Sequence, residues 1–166
     1  MLKALSILCT VLGASVGFAA AQGSVRVEPP NLQGSQPLQE QTAAAAVHDY
    51  LESWSTMRAA FEQNRADLLS RDFVGNAKDK LTDAIQQQSR LGIRTVYQDS
   101  SHDLQIVFYS PDGLSIELID KVNYDMQLLV HEKVEATERQ QARYIVVLTP
   151  SEVRWRVRVF QAVPEE

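Results

Sequence analysis

Cysteine is nearly absent from this chain: Cys9 is the only one among 166 residues. It lies inside the first apolar run, so the remainder has no disulfide framework, no thiol nucleophile and no thiolate metal ligand. Thr10 follows it, and the small residues that precede a lipid-modified cysteine are missing. Basic charge is also scarce. Sixteen Lys and Arg stand against 21 Asp and Glu, for a net charge of −5. That balance excludes nonspecific binding to nucleic acid or to anionic membranes, which depends on basic surface. The chain has no N-x-S/T sequon, no Gly-rich phosphate loop and no G-x-S-x-G elbow. His48, His102 and His131 are too scattered for H-x-H or H-x₃-H spacing, so no metal and no cofactor is expected.

What is present begins with a leader. Lys3 gives a positive start, residues 4–18 form an apolar run, and Ala19-Ala20-Ala21 precede Gln22. These are the parts of a secretory signal peptide cleaved after Ala21. The expected product is periplasmic or secreted, with no stable membrane anchor after cleavage. Residues 22–39 carry Pro29, Pro30 and Pro37 without sustained periodicity, as a flexible linker or loosely docked arm would. The folded domain is expected over residues 40–163. Apolar residues, 45% of the chain, suffice for one packed core.

Residues 40–70 predict the main helix. Val47, Tyr50, Leu51, Trp54, Met57, Phe61 and Leu68 recur at steps of three and four and fall in one stripe. Arg58 and Arg65 lie inside that stripe. Their stems snorkel outward, or they face a polar cavity or an acidic partner. Residues 71–75 break the helix, with Phe73-Val74 as an anchor. Asn76 is placed to cap a second helix over residues 77–91, whose inner face is Ala77, Leu81, Ala84, Ile85, Gln88 and Leu91. Gly92 is placed to end it in the left-handed conformation.

Beyond Gly92 the period changes to two. Residues 93–98 and 102–109 read as strands separated by a turn at Asp99-Ser100-Ser101. Ser110-Pro111-Asp112-Gly113 fits a type I turn with a G1 bulge, setting Phe108 opposite Ile116, Ile106 opposite Leu118 and Asp103 opposite Lys121. Residues 122–135 read as one long strand and residues 136–141 as a polar connection. The last hairpin joins residues 142–149 to 153–162 through Pro150-Ser151. A two-residue turn pairs Leu148 with Val153, Val146 with Trp155, Tyr144 with Val157 and Ala142 with Val159 on a core-facing side. Arg143, Ile145 and Val147 then oppose Arg158, Arg156 and Arg154 on the other. The expected architecture is α+β, with N-terminal helices packed on a strongly curved antiparallel sheet.

The long first helix around Tyr50-Leu51-Glu52-Ser53-Trp54, the helical segment after Phe73, and the terminal pair Arg143-Tyr144-Ile145-Val146-Val147-Leu148 and Arg154-Trp155-Arg156-Val157 resemble the NTF2-like superfamily. The small SnoaL-like and DUF4440-type domains are the nearest in kind. The resemblance spans residues 40–162. It implies a cone with a pocket between helix and sheet, and often a dimer through the sheet's outer face. It implies no single activity, because isomerases, dehydratases, hydrolases and noncatalytic modules share the fold.

Enzymes of this kind place an acid or base inside the cone, and the inward strand positions here include no obvious one. Asp120 and Glu132 have the right parity, but each reads as a solvated strand end. A carboxylate or histidine buried in the cone and hydrogen-bonded to a tyrosine would favour an isomerase- or hydrolase-type enzyme. Without one, a noncatalytic binding or interaction module is expected and no catalytic residue is named. Tyr50, Trp54, Phe61, Tyr124, Tyr144 and Trp155 are either plain core or an apolar pocket. In the pocket reading Arg58 sits at the mouth, and the ligand is an apolar or anionic small molecule. Arg154, Arg156 and Arg158 with Leu129, Ile145, Val147 and Phe160 are either a solvated sheet face or the interface of a homodimer.

Overall fold

The computed structural model describes residues 23–34 and 37–164; the expected leader lies outside them. Five strands and two long helices form an α+β domain. Strand β1 (Ser24–Val27) precedes helix α1 (Glu40–Gln63), a 3-10 turn (Ala66–Arg71) and helix α2 (Gly75–Arg90). Strands β2 (Ile93–Tyr109), β3 (Ile116–Val130), β4 (Lys133–Pro150) and β5 (Trp155–Val163) follow as an antiparallel meander. The sheet order is β1-β2-β3-β4-β5, with β1 parallel to β2. The sheet is curved and unclosed, and α1 lies on its concave side.

Helix α1 forms where the apolar stripe predicts. Ala46, Val47, Tyr50, Trp54, Met57, Ala60 and Phe61 are buried along one line. The helix stops at Gln63, seven residues short of the expected end. Asn64 takes the left-handed conformation (φ 54°), which asparagine tolerates better than most residues. Leu68 therefore reaches the core from the 3-10 turn. Helix α2 starts at Gly75 with Val74 before it and no side-chain cap, so Asn76 does not cap it. Ala77, Ile85 and Gln88 are buried as expected, but Leu91 is 62% exposed. Gly92 does adopt a positive φ of 68°.

The departures in the sheet have two causes: single extra residues, and turns built without glycine. The triplet at Asp99-Ser100-Ser101 is a bulge inside β2, not a turn between strands. The expected strand over residues 122–135 reverses at His131-Glu132, both at positive φ (48° and 66°). That turn lets the polar residues 136–141 pair with β3 instead of connecting strands. In the last hairpin the loop is longer than Pro150-Ser151. Pro150 pairs with Trp155 and Leu148 with Val157, and Val153 is 87% exposed. A further bulge at Arg158 then sets Val147 against Val159 and Val146 against Phe160. Arg143 thus faces Val163, and the expected Arg143–Arg158 pair does not form. At Ser110–Gly113 the turn forms as expected, with Gly113 at φ 73°, and Ile106–Leu118 and Asp103–Lys121 are paired. A bulge at Val107 shifts Phe108 onto Glu117.

The connection between the helices closes the far edge of the sheet. The Val74 N–H donates to the Val157 carbonyl at 2.9 Å, and the Val157 N–H to the Asp72 carbonyl at 2.8 Å. Phe73 beside them is 1% exposed. The Pro-rich arm closes the opposite edge through β1 and through Glu28, Asn31 and Gln33, whose N–H groups donate to β2 carbonyls. Both edges that a meander leaves open are thereby covered.

Candidate functional site

Helix α1 carries Tyr50, Trp54 and Arg58 at steps of four, so the three stand in one row on the face turned to the sheet. The sheet answers with Asp120 on β3 and with Asp99 and His102 on β2. Strict alternation would put Asp99 and His102 on opposite faces. The extra residue at Ser100 resets the parity, so both look inward. The bulge thereby assembles the site.

The contacts run as a chain. The Tyr50 hydroxyl donates to Asp120 Oδ2 at 2.7 Å, and His102 Nδ1 meets the same oxygen at 2.8 Å. On the other side of the imidazole, Nε2 lies 3.7 Å from Asp99 Oδ2. Arg58 Nη1 donates to that Asp99 oxygen at 2.6 Å. The Trp54 ring stands edge-on to His102, with centroids 5.0 Å apart. Asp120 is fully buried, Tyr50 is 1% exposed and His102 4%. Trp54 Nε1, Asp99 Oδ1 and Asp120 Oδ1 have no hydrogen-bond partner among the described residues.

The electrostatics follow from that enclosure. Burial works to lower the His102 pKa, but hydrogen bonds and Coulomb attraction from Asp120 and Asp99 outweigh it and raise the imidazole to about 9. Burial works to raise Asp99, yet the nearby His102, Trp54 and Arg58, the last donating to its Oδ2, outweigh that and hold it below its ordinary value. Burial, and then the Asp120 charge, push the Tyr50 phenol well above its usual range. With His102 protonated, two carboxylates stand against one imidazolium and one guanidinium. The network is neutral as a unit, the condition under which buried charge is tolerated.

Towards the C-terminal half of α1 the network opens onto aromatic rings. Tyr144 and Phe160 stack 4.5 Å apart, and Trp54 meets both edge-on at 5.6 and 5.7 Å. Tyr97 bridges Phe61 and Tyr124, each at 5.6 Å. Burial lifts the Tyr97 phenol to about 12. Tyr97, Tyr144 and Phe160 are only half-buried, so part of each ring stays open to solvent.

Of the residues singled out from the sequence, Trp54, Phe61, Tyr124 and Tyr144 do come together here. Tyr50 belongs to the buried network at the base. Arg58 reaches the mouth, 40% exposed, but is already paired with Asp99. Trp155 is half-buried against the core from elsewhere, its N–H donating to Asp49 Oδ2 at 2.8 Å beside the first turns of α1. Phe160, expected on the outer face, is turned inward by the bulge at Arg158. Arg154 and Arg156 are not free outer-face residues. Arg154 Nη1 donates to the buried Asp72 at 2.6 Å, and Arg156 Nη2 to the carbonyls of Ser70 and Phe73 at 2.6 and 3.2 Å. Arg158 is exposed at the bulge beside Gly75. Ile145 and Val147 share the outer face with Ile119 and Val159. Leu129 pairs with Val134 near the β3–β4 tip, about 30 Å along the strand from Ile119. The sequence carries no sign of Asp99 or Tyr97 as site residues, and it raises His102 only as a metal ligand that lacks the spacing. Asp120 was read as solvated although its parity beside Leu118 pointed inward. Among the described residues no group of three or more metal-ligating side chains could hold an ion.

No protein-family model matches the chain, and no curated protein does. Solved structures do. The fold is similar to the intermembrane-space region of the chloroplast protein ARC6, at 18% identity and a TM-score of 0.61, over 78% of this chain and 100% of that one. It is also similar to a protein of Novosphingobium aromaticivorans DSM 12444 provisionally assigned as a scytalone dehydratase. There the identity is 8% and the TM-score 0.52, over 76% of this chain and 89% of that one. The chain therefore has the NTF2-like cone that its helices and terminal hairpin led us to expect.

The network sets a pH dependence. Because the folded pKa of His102 is raised, its stabilisation is complete below the unfolded value of 6.5 and is lost as pH rises through about 9. Denaturant unfolding should show a loss on the order of 3 kcal/mol across that window. His102→Leu should unfold more easily at neutral pH and show no such alkaline loss. An equal loss in both proteins would assign it elsewhere.

Proposed function

We propose that this chain is an exported, noncatalytic binding module that takes an apolar, ring-bearing small molecule at the aromatic mouth of the cone. The observation that carries this reading is the closed state of the acid–base groups behind the mouth. A general base needs a free lone pair within reach of its substrate. Here both imidazole nitrogens face carboxylates, and the raised pKa keeps His102 protonated at neutral pH. Asp120 Oδ2 is taken by both Tyr50 and His102, and its unpartnered Oδ1 is fully buried, out of reach of a molecule at the surface. The rings of Tyr97, Tyr144 and Phe160 remain partly open, and aromatic faces bind ring-bearing ligands by offset or edge contacts. An anionic ligand gains little from Arg58, whose charge is spent on Asp99.

The rival is an isomerase- or hydrolase-type enzyme. The observation in its favour is the buried Tyr50–Asp120–His102 set itself, the constellation expected of an acid–base site in the cone. One experiment separates the two. Titration with 1-naphthol, followed by tryptophan fluorescence and by analysis of the recovered ligand, should give saturable binding and unchanged naphthol. Phe160→Ala should weaken that binding by about tenfold, the order expected when one aromatic contact is lost. Absence of saturable binding removes the aromatic mouth as a site. Chemical turnover of a bound ring compound, abolished by Asp120→Asn in a folded protein, establishes the enzyme.

The outer sheet face supports a second proposal, a homodimer. Ile119 pairs with Ile145 and Val147 with Val159, and all four are only half-buried. Light scattering over a range of concentrations should give a dimer mass that Ile145→Lys reduces to the monomer. A monomer at every concentration contradicts it.

A further inference from the structure

A second cavity lies away from the cone, between β1, the Pro-rich arm and the first turns of α1. Its volume is about 660 Å³, inside the range of about 300–1,000 Å³ occupied by ligand sites. Its walls are aliphatic: Val25, Val27, Leu38, Ala44, Val47 and Leu51. Val25 and Val27 are 48% and 52% exposed, so β1 presents an open apolar edge rather than a finished surface. Among the described residues no aromatic ring lines the cavity, and the charged or titratable lining residues are Glu28, Glu40 and His48. A wall of this kind can stack no ring and can satisfy no polar group along an occupant's length. It suits a plain hydrocarbon chain.

The rim states the charge of the other end. Glu28 is shared with Arg26 at 3.2 Å, and His48 is turned to Asp49 at 3.4 Å. Glu40 opens α1 and has no ion-pair partner among the described residues. The free charge at the entrance is therefore negative, as is the chain as a whole. We propose that this groove binds a single-chain cationic amphiphile, its tail along Val25, Val27 and Val47 and its head group at Glu40. The site is independent of the aromatic mouth, which lies at the other half of α1.

Dodecyltrimethylammonium, used below its micellar concentration, is the probe. Calorimetry on the purified protein should show saturable one-to-one binding, with methyl NMR shifts at Val25, Val27, Val47 and Leu51. Ala44→Phe fills the groove from an exposed position and should weaken binding by about tenfold or more. Glu40→Gln, on the exposed first turn, should weaken the cationic probe by about fivefold and leave dodecyl maltoside unchanged. The proposal fails if no saturation occurs, if Ala44→Phe binds as the parent does, or if dodecyl sulfate binds as tightly as the cationic probe. Thermal unfolding of each variant checks that it has folded. Should Ala44→Phe not fold, Glu40→Gln decides alone, and equal binding of the cationic probe to it and to the parent overturns the head-group assignment.

Discussion

An imidazole held between two carboxylates is the constraint around which this domain is arranged. His102 bridges Asp120 and Asp99, and α1 reaches the same groups through Tyr50 and Arg58. The helix cannot rotate or slide by one residue without breaking several of these contacts at once. A purely apolar stripe would allow such slips at modest cost, because Val, Met and Phe repack readily. The network therefore fixes register between helix and sheet, a role attested for buried polar groups elsewhere. Removing any one of the four charged members would leave an unbalanced charge in an enclosed site.

A second buried carboxylate does the same on another side of α1. Asp72 is fully buried, and it accepts hydrogen bonds from Thr56, Arg71 and Arg154. It ties α1, the helix connection and the last hairpin together. Arg154 is thereby committed to the fold, as Arg156 is through the Ser70 and Phe73 carbonyls, and Arg158 alone of the three stays exposed. What stays open is apolar: the aromatic mouth, the outer row of Ile and Val, and the aliphatic groove beside β1. Two similar folds bear quite different descriptions, so the cone itself assigns no activity. The proposed binding roles rest on those open surfaces.

Much of the fold was legible in the sequence, and for clear reasons. The stripe Val47–Tyr50–Trp54–Met57–Phe61 could only be one helix face. The inward parity of Tyr144, Val146 and Leu148 could only be one sheet face. Bulges were illegible. Ser100 and Arg158 each insert one residue, and a polar residue inserted into an alternating run looks like a turn or like nothing. Each insertion reversed the facing of what followed: His102 in one case, Phe160 in the other. The His131-Glu132 turn was missed because turn chemistry normally announces itself with Gly or Asn at positive φ. The polar strand after it was missed because it pairs at the sheet's exposed end, where no apolar alternation is required. Nothing local to Asp120 in the sequence marks it as buried, since carboxylates are mostly exposed. The partners that make its burial tolerable lie 70 and 18 residues away in sequence.

The protonation state of His102 tests this account most directly. Nitrogen NMR of the ring at about pH 7.5 should show both nitrogens protonated, with an imidazolium signal that titrates only near pH 9. A neutral ring at that pH, with one nitrogen free of a proton, would contradict the bridged ion pair. It would return His102 and Asp120 to service as an acid–base couple.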